Sequence, residues 1–354
     1  MRDLHSLEQT LAQNLPWHKA RIKFVAAFIV ALVTVKTVNL TELACALAGK
    51  SKQDSQYKKL QRFFRFFEIP YADIAHLVVH LLGVAGPWTL TLDRTNWKLG
   101  KVELNLLVLG IVHQGIAYPV VWWALDKAGN SSTEERITVL EIFLDLFGKE
   151  QIAGVVADRE FVGHQWLRWL RAQEINFHLR IHANYQVTNG RGKKVAAYRL
   201  FRATRVNTPL VLETPRQMWG DTWYFSGCYL GSGEYLILVS PHYAAEAVEQ
   251  YALRWEIETL FAALKTRGFC LEATHLTAPE RLDRLVALLA LTFCCCHKLG
   301  EWLHQQKALT LKKHGRQPKS LFRRGFDHLR RLIVNFTNFD LVAWQKVIEL
   351  LSCT

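Results

Sequence analysis

Four polar side chains in the last third of the chain stand at a spacing that suits chemistry. Tyr251, Arg254, Glu258 and Lys265 fall at offsets 0, 3, 7 and 14 within Tyr251-Ala-Leu-Arg-Trp-Glu-Ile-Glu258-Thr-Leu-Phe-Ala-Ala-Leu-Lys265. On one continuous helix they point to about 0°, −60°, −20° and −40°. That narrow stripe presents a hydroxyl, a guanidinium, a carboxylate and an ammonium together. Leu253, Ile257, Leu260 and Leu264 gather on the other side, where they hold the helix to a core. Every amphipathic helix has a polar face, and Arg254 and Glu258 at i, i+4 also make a plain structural ion pair. Spacing alone leaves both readings open.

The order Tyr, two residues, Arg, three residues, Glu, six residues, Lys is similar to the signature of DDE transposases of insertion-sequence family four, which includes hairpin-forming cut-and-paste elements. The resemblance implies two further acids, one at the end of the first core strand and one after the fourth. Leu90-Thr-Leu-Asp93-Arg-Thr-Asn and Val155-Val-Ala-Asp158-Arg-Glu-Phe stand in those places. It also implies a β insertion between the second Asp and the Glu, and an N-terminal domain that binds element ends.

The expected site is therefore a triad of Asp93, Asp158 and Glu258 that holds two Mg²⁺ ions, with Mn²⁺ as a substitute. Asp93 bridges both ions, and Asp158 and Glu258 each complete one. Phosphoryl transfer concentrates charge around phosphorus, and hard cations on carboxylates neutralise it while leaving positions for phosphate and water. Tyr251, Arg254 and Lys265 are expected to grip the phosphates beside the cut, the guanidinium in bidentate fashion. Glu256 points about 160° away from Glu258 on a helix, and Glu160 follows Asp158 in a loop, so neither fits as well. Hairpin-forming relatives hold a flipped base against an aromatic ring. Trp219 and Trp223 of the insertion and Trp255 of the signature helix are candidates for that role, although each equally suits a core.

The elements that must position these groups start with residues 1–86, which read as helical: Ala20 to Val38, Thr41 to Ala48, a break at Gly49, and Asp54 to Phe67, in the outline of a helix-turn-helix. Lys58, Lys59, Arg62 and Arg65 share one face of the last segment, opposite Leu60, Phe63, Phe64 and Phe67. That basic face either meets DNA or is simply solvated. Strands follow at Trp88 to Asp93, Leu104 to Val112 and Ile116 to Ala124, then a helix at Thr133 to Phe147, a strand at Ile152 to Ala157, a helix at Phe161 to Gln173 and a strand at Asn176 to Ile181. This order resembles the ribonuclease H-like fold: an α/β catalytic core on a mixed sheet, here with an all-α N-terminal domain.

Short β segments (Gln186 to Thr188, Val195 to Phe201, Leu210 to Glu213, Thr222 to Leu230, Tyr235 to Ser240) read as an inserted subdomain over 183–243. Helices resume at Ala244 to Arg267 and Pro279 to Gln306. The expected domains are thus 1–86 for DNA binding, 87–182 with 244–300 for catalysis, the insertion at 183–243, and a basic helical region at 301–354.

With 44 Lys and Arg against 31 Asp and Glu, the net charge of +13 favours a polyanionic partner. Between Ile175 and Leu212 there are seven basic residues and no acid, and Trp302 to Arg331 carries nine against the single acid Asp327. The longest apolar runs, Phe24 to Val35 and Leu285 to Cys296, are 12 residues each, short of the ~20 a membrane helix needs. The start of the chain has no apolar leader core, and seven cysteines lack zinc-finger spacing, which favours a reducing cytoplasm. Cys294, Cys295, Cys296 and His297 point about 100° apart on a helix and cannot converge on one ion, so they read as core. The expected partner is double-stranded DNA, as terminal repeats and as target, engaged by a homodimer without a membrane. The rivals are a nuclease on the same core that joins nothing, and a domesticated DNA-binding protein.

Overall fold

The computed structural model describes residues 4–48, 51–310, 318–335 and 341–352. It opens with α1 (Leu4–Asn14), α2 (Lys19–Val35), α3 (Leu40–Leu47), α4 (Gln53–Phe66) and α5 (Tyr71–Leu82), followed by β1 (Trp88–Leu99), β2 (Val102–His113) and β3 (Ile116–Leu125). Next come α6 (Thr133–Phe147), β4 (Ile152–Ala157), α7 (His164–Ala172) and β5 (Phe177–Arg180). Six strands follow: β6 (Gln186–Thr188), β7 (Lys194–Ala196), β8 (Leu210–Val211), β9 (Arg216–Met218), β10 (Asp221–Gly231) and β11 (Glu234–Ser240). The chain continues through α8 (Ala247–Ala252), α9 (Trp255–Leu264), α10 (Pro279–Gln306), α11 (Leu321–Val334) and α12 (Leu341–Ser352). The expected break at Gly49 and residues 311–317 of the basic Trp302–Arg331 stretch lie outside the described residues.

The chain divides into two compact units, one of Met1–Val84, Asn96–Leu104 and Leu260–Thr354, the other of Ala85–Thr95 and Asn105–Thr259. The first is mostly helical. Asn39 caps α3 by accepting from the Thr41 amide, and α2 is apolar on nearly every side because it is enclosed. Leu60, Phe63 and Phe64 of α4 are buried, with Phe63 stacked on Phe24 of α2 at 4.1 Å. Helix α10 packs along α5 and α11. Gly300 of α10 and Gly325 of α11 leave no room for a Cβ against the facing backbone, so glycine permits this approach. Cys294, Cys295 and Cys296 are buried there.

The second unit is built on a mixed sheet with strand order β3-β2-β1-β4-β5-β11-β10-β8. β1 with β4 and β4 with β5 run parallel, whereas β2 with β3, β5 with β11 and β10 with β11 run antiparallel. The last four residues of β4 are all buried, which explains its unbroken apolar run. Ser132 and Glu135 form a reciprocal capping box that starts α6 at the expected residue.

Several expectations need correction. The helix expected from Phe161 begins only at His164, because Arg159–Phe161 form a short 3₁₀ turn capped by Asp158 and the chain then extends through Val162 and Gly163. The strand expected over Val195 to Phe201 ends at Ala196 and gives way to a 3₁₀ turn at Ala197–Leu200. β10 and β11 continue the central sheet across the edge of β5, while β6 and β7 form a separate two-stranded hairpin. Local alternation identifies a strand but not which sheet it joins.

Candidate active site

Parallel pairing sets the first two acids beside each other. The register of β1 on β4 ends by matching Leu92 to Ala157, so Asp93, still on β1, and Asp158, the first residue past β4, directly follow that pair at the ends of neighbours about 4.8 Å apart. β4 stops there, whereas β1 runs on to Leu99. Each carboxylate is anchored by the amide that follows it. The Arg94 N–H donates to Asp93 Oδ1 at 2.7 Å, and the Arg159 N–H donates to Asp158 Oδ1 at 2.8 Å.

The third acid arrives from the signature segment, though not on one helix. The chain leaves α8 at Ala252, makes a tight turn through Leu253 and Arg254, restarts at Trp255 and ends α9 at Leu264. In that turn the Arg254 amide bonds to the Tyr251 carbonyl at 3.0 Å and the Glu256 amide to that of Leu253 at 3.0 Å. The stripe expected from a continuous helix is thus replaced by a bend that turns Arg254 inward, 4 % exposed, and Trp255 outward, 58 % exposed. Convergence survives. Arg254 Nη2 lies 2.9 Å from Glu258 Oε1 and Nη1 lies 3.7 Å from Asp93 Oδ2, while the Tyr251 hydroxyl donates to Asp158 Oδ1 at 3.3 Å.

A supporting layer fixes these contacts. Buried His178 of β5 lies 2.7 Å from Ser240 Oγ of β11 and 2.7 Å from Gln250 Oε1 of α8, tying the residue before Tyr251 to the sheet. Burial lowers the His178 pKa and favours the neutral imidazole. Burial, and then the charge of Asp158, raise the Tyr251 pKa, which keeps the phenol protonated as a donor. Arg94 reaches Glu160 through Nε at 2.9 Å and Nη2 at 3.2 Å, and also meets Asn105 and Asn130, each at 3.2 Å. Arg180 Nη1 stands 3.7 Å from Asp158 Oδ1. Sequence reasoning missed Arg94, His178, Arg180 and Gln250, because their partners lie far away along the chain and no spacing marks them.

The two acids set aside have partners of their own. Glu160 is held by Arg94, and Glu256 Oε1 accepts from the Gly115 amide at 3.0 Å in the β2–β3 turn. Burial pushes the Glu256 carboxyl up to about 7. Lys265 belongs to the helical unit, where Nζ lies 2.8 Å from Glu272 Oε1 and donates to the Asn96 carbonyl at 3.3 Å. Lys58, Lys59 and Arg62 all lie exposed on α4. Trp223 is removed as a base-holding candidate: it is fully buried, packed on Phe177 and covered by Arg171 at 4.3 Å, so no base can reach it. Trp219 is half-buried beside Tyr185, and Trp255 stacks under the Arg254 guanidinium at 4.5 Å.

Three carboxylates offer the hard oxygen donors that Mg²⁺ and Mn²⁺ prefer. Burial pushes Asp93 up to about 7, with Glu160 and Glu258 adding to the rise against the Arg94 amide and Arg254, so this carboxylate is short of compensating positive charge. The donor set fits a divalent cation on both counts. As the side chains stand, no three acid, His or Cys groups among the described residues close around one ion. Arg254 and Tyr251 hold their oxygens instead.

The family profile described as "Transposase DDE domain" matches residues 119–295, a span that includes Asp158 and Glu258 and begins after Asp93. No curated protein matches the chain. Among solved structures, a cryo-EM structure of piggyBac transposase in a synaptic complex with hairpin DNA is similar at 10 % identity, covering 99 % of this chain and 83 % of that one with a TM-score of 0.47.

Proposed function

Because this chain belongs to the transposase DDE domain family, whose profile spans 119–295 of its 354 residues, we propose that Asp93, Asp158 and Glu258 are the acids with which it cuts and joins DNA. Enzymes of this family cleave DNA and transfer strands with the help of metal ions. The observation that carries the assignment is that Asp93 and Asp158 directly follow the last matched pair of the parallel strands β1 and β4, Leu92 with Ala157, while Glu258 is linked to Asp93 through one guanidinium. The strand order β3-β2-β1-β4-β5, antiparallel in β2–β3 and parallel from β1 to β5, supports a ribonuclease H-like core.

Two Mg²⁺ ions bound there would activate the attacking oxygen and neutralise charge on the phosphate. Asp93, Asp158 and Glu258 are the residues that would hold them. The Tyr251 hydroxyl holds one oxygen of Asp158 and leaves the other open. Arg254 aligns Glu258 with Asp93, and His178 braces the helix that carries Tyr251. This division of roles makes Arg254 a positioning residue rather than a DNA grip, since its guanidinium is enclosed.

The intact Tyr251, Arg254, Glu258 and Lys265 pattern supports membership of insertion-sequence family four. On that basis the enzyme works in the bacterial cytoplasm as a homodimer on the terminal repeats of its own element. It frees a 3′ hydroxyl, passes through hairpin ends and inserts into target DNA, with Trp255 or Trp219 holding the flipped base. The test is incubation of the protein with labelled element ends, Mg²⁺ and a target plasmid. Hairpins and joined products are expected. Cleavage without joining would identify a nuclease, and cleavage that persists in Asp158→Asn would overturn the triad.

A further inference from the structure

The helical unit contains a cleft of about 540 Å³ between α4 and the segment that leads into α10. Its size falls within the range of about 300–1,000 Å³ common to small-molecule sites. Lys58, Arg62 and Arg65 line one side and Arg281 the other, and among the described residues no Asp or Glu lines it. Tyr57 and Phe66 also face it, and Phe66 is 65 % exposed, although large apolar rings are usually covered. Arg284 Nη1 donates to the Phe64 carbonyl at 2.6 Å, which ties the end of α4 to α10 and fixes the spacing of the walls.

Cations without carboxylates recognise phosphate, and an exposed aromatic ring offers a face on which a base can stack. Together they are the two components of single-strand binding: an electrostatic track and a stacking platform. A flat duplex backbone would need the cations but neither the concavity nor the ring. We propose that this cleft takes an unpaired nucleotide at a DNA end, its phosphate between Arg62 and Arg281 and its base against Phe66. The inference rests on the reading of the chain as a DNA-end-processing enzyme, but it involves none of the acids of the sheet unit.

The test uses the full chain in EDTA, where cleavage does not intervene. Binding is measured to a blunt duplex and to the same duplex with a three-nucleotide single-stranded tail carrying 2-aminopurine. Tighter binding and altered fluorescence of the tailed DNA are expected. Phe66→Ala should reduce affinity for the tailed DNA about tenfold while leaving the blunt duplex unchanged. Arg62→Ala with Arg281→Ala should also remove the preference and flatten its salt dependence by about two units of slope. Equal binding of tailed and blunt DNA by the unaltered protein would overturn the proposal, as would a tail preference that survives both substitutions. Unfolding temperatures identify any variant that fails to fold, and Phe66→Leu, which keeps apolar bulk without the ring, then replaces Phe66→Ala. Neither outcome bears on the triad, which is read separately by cleavage in Mg²⁺.

Discussion

The guanidinium of Arg254 lies 2.9 Å from Glu258, four residues ahead of it, yet the two do not form an exposed helical pair, because Arg254 sits in the bend before α9 and is almost wholly enclosed. Enclosure changes what removal does. A surface pair is worth about 0–1 kcal/mol, whereas a buried cation beside two carboxylates sets their positions and charge balance.

Arg254→Ala is accordingly expected to slow single-turnover cleavage by about 100-fold, the scale of cost for misplaced reacting groups, with little change in end binding. Raised Mg²⁺ should restore part of the rate, because cations replace the missing charge between Asp93 and Glu258. A rate unmoved by Mg²⁺ across a wide titration would return Arg254 to a direct contact with DNA.

The triad assignment predicts that Asp93→Asn, Asp158→Asn and Glu258→Gln each reduce cleavage to background while specific end binding persists. Glu256→Gln should stay active, since the amide oxygen still accepts from Gly115. Near-normal cleavage by Glu258→Gln in Mg²⁺ would move the third acid elsewhere.

The raised pKa of Asp93 has a defined sign in metal-free protein. Between the ordinary value of 3.8 and about 7 the native state holds more protons at this group than the unfolded chain, so its effect on stability is least unfavourable in acid and worsens as pH rises through about 7. In EDTA, Asp93→Asn should therefore raise the unfolding temperature more at pH 8 than at pH 5. Added Mg²⁺ should stabilise the wild type more at pH 8, where no proton competes. Equal shifts at both pH values would contradict an under-compensated Asp93.

Buried Trp223 and exposed Trp255 separate stability from function. Trp223→Ala should cost about 3–5 kcal/mol of stability, as for other buried aromatic truncations. Trp255→Ala should leave the fold nearly unchanged, and a specific drop in hairpin product would mark it as the base-holding ring. No change in hairpin yield would leave Trp219 for that role.

On α4, replacing Lys58, Lys59 and Arg62 together with Ala should weaken DNA binding and reduce its salt dependence by roughly one unit of slope for each phosphate no longer neutralised. Unchanged affinity and slope would assign DNA binding to the other basic segments.

The sequence alone marked the basic face of α4, and α6 and β4 residue for residue, because each rests on local information, a helix period or an apolar run bounded by turns, whereas Asp93 and Asp158 came forward only through the family resemblance. It also set Glu256 and Glu160 aside, and each has a partner of its own, the Gly115 amide and Arg94. The bend at Arg254 was not legible, since helical spacing persists through a tight turn and the contacts of its guanidinium with Asp93 and Glu258 include one to a residue 161 positions away. Nor was the joining of β11 to β5, because alternation records which face of a strand is buried but not its neighbour. Trp223 and Trp255 are the same residue type on suitable segments, and only packing decided that one is core and the other exposed. The bracing by His178, Gln250 and Ser240 joins residues 62 to 72 positions apart, and contacts at that separation exist only once the sheet has closed.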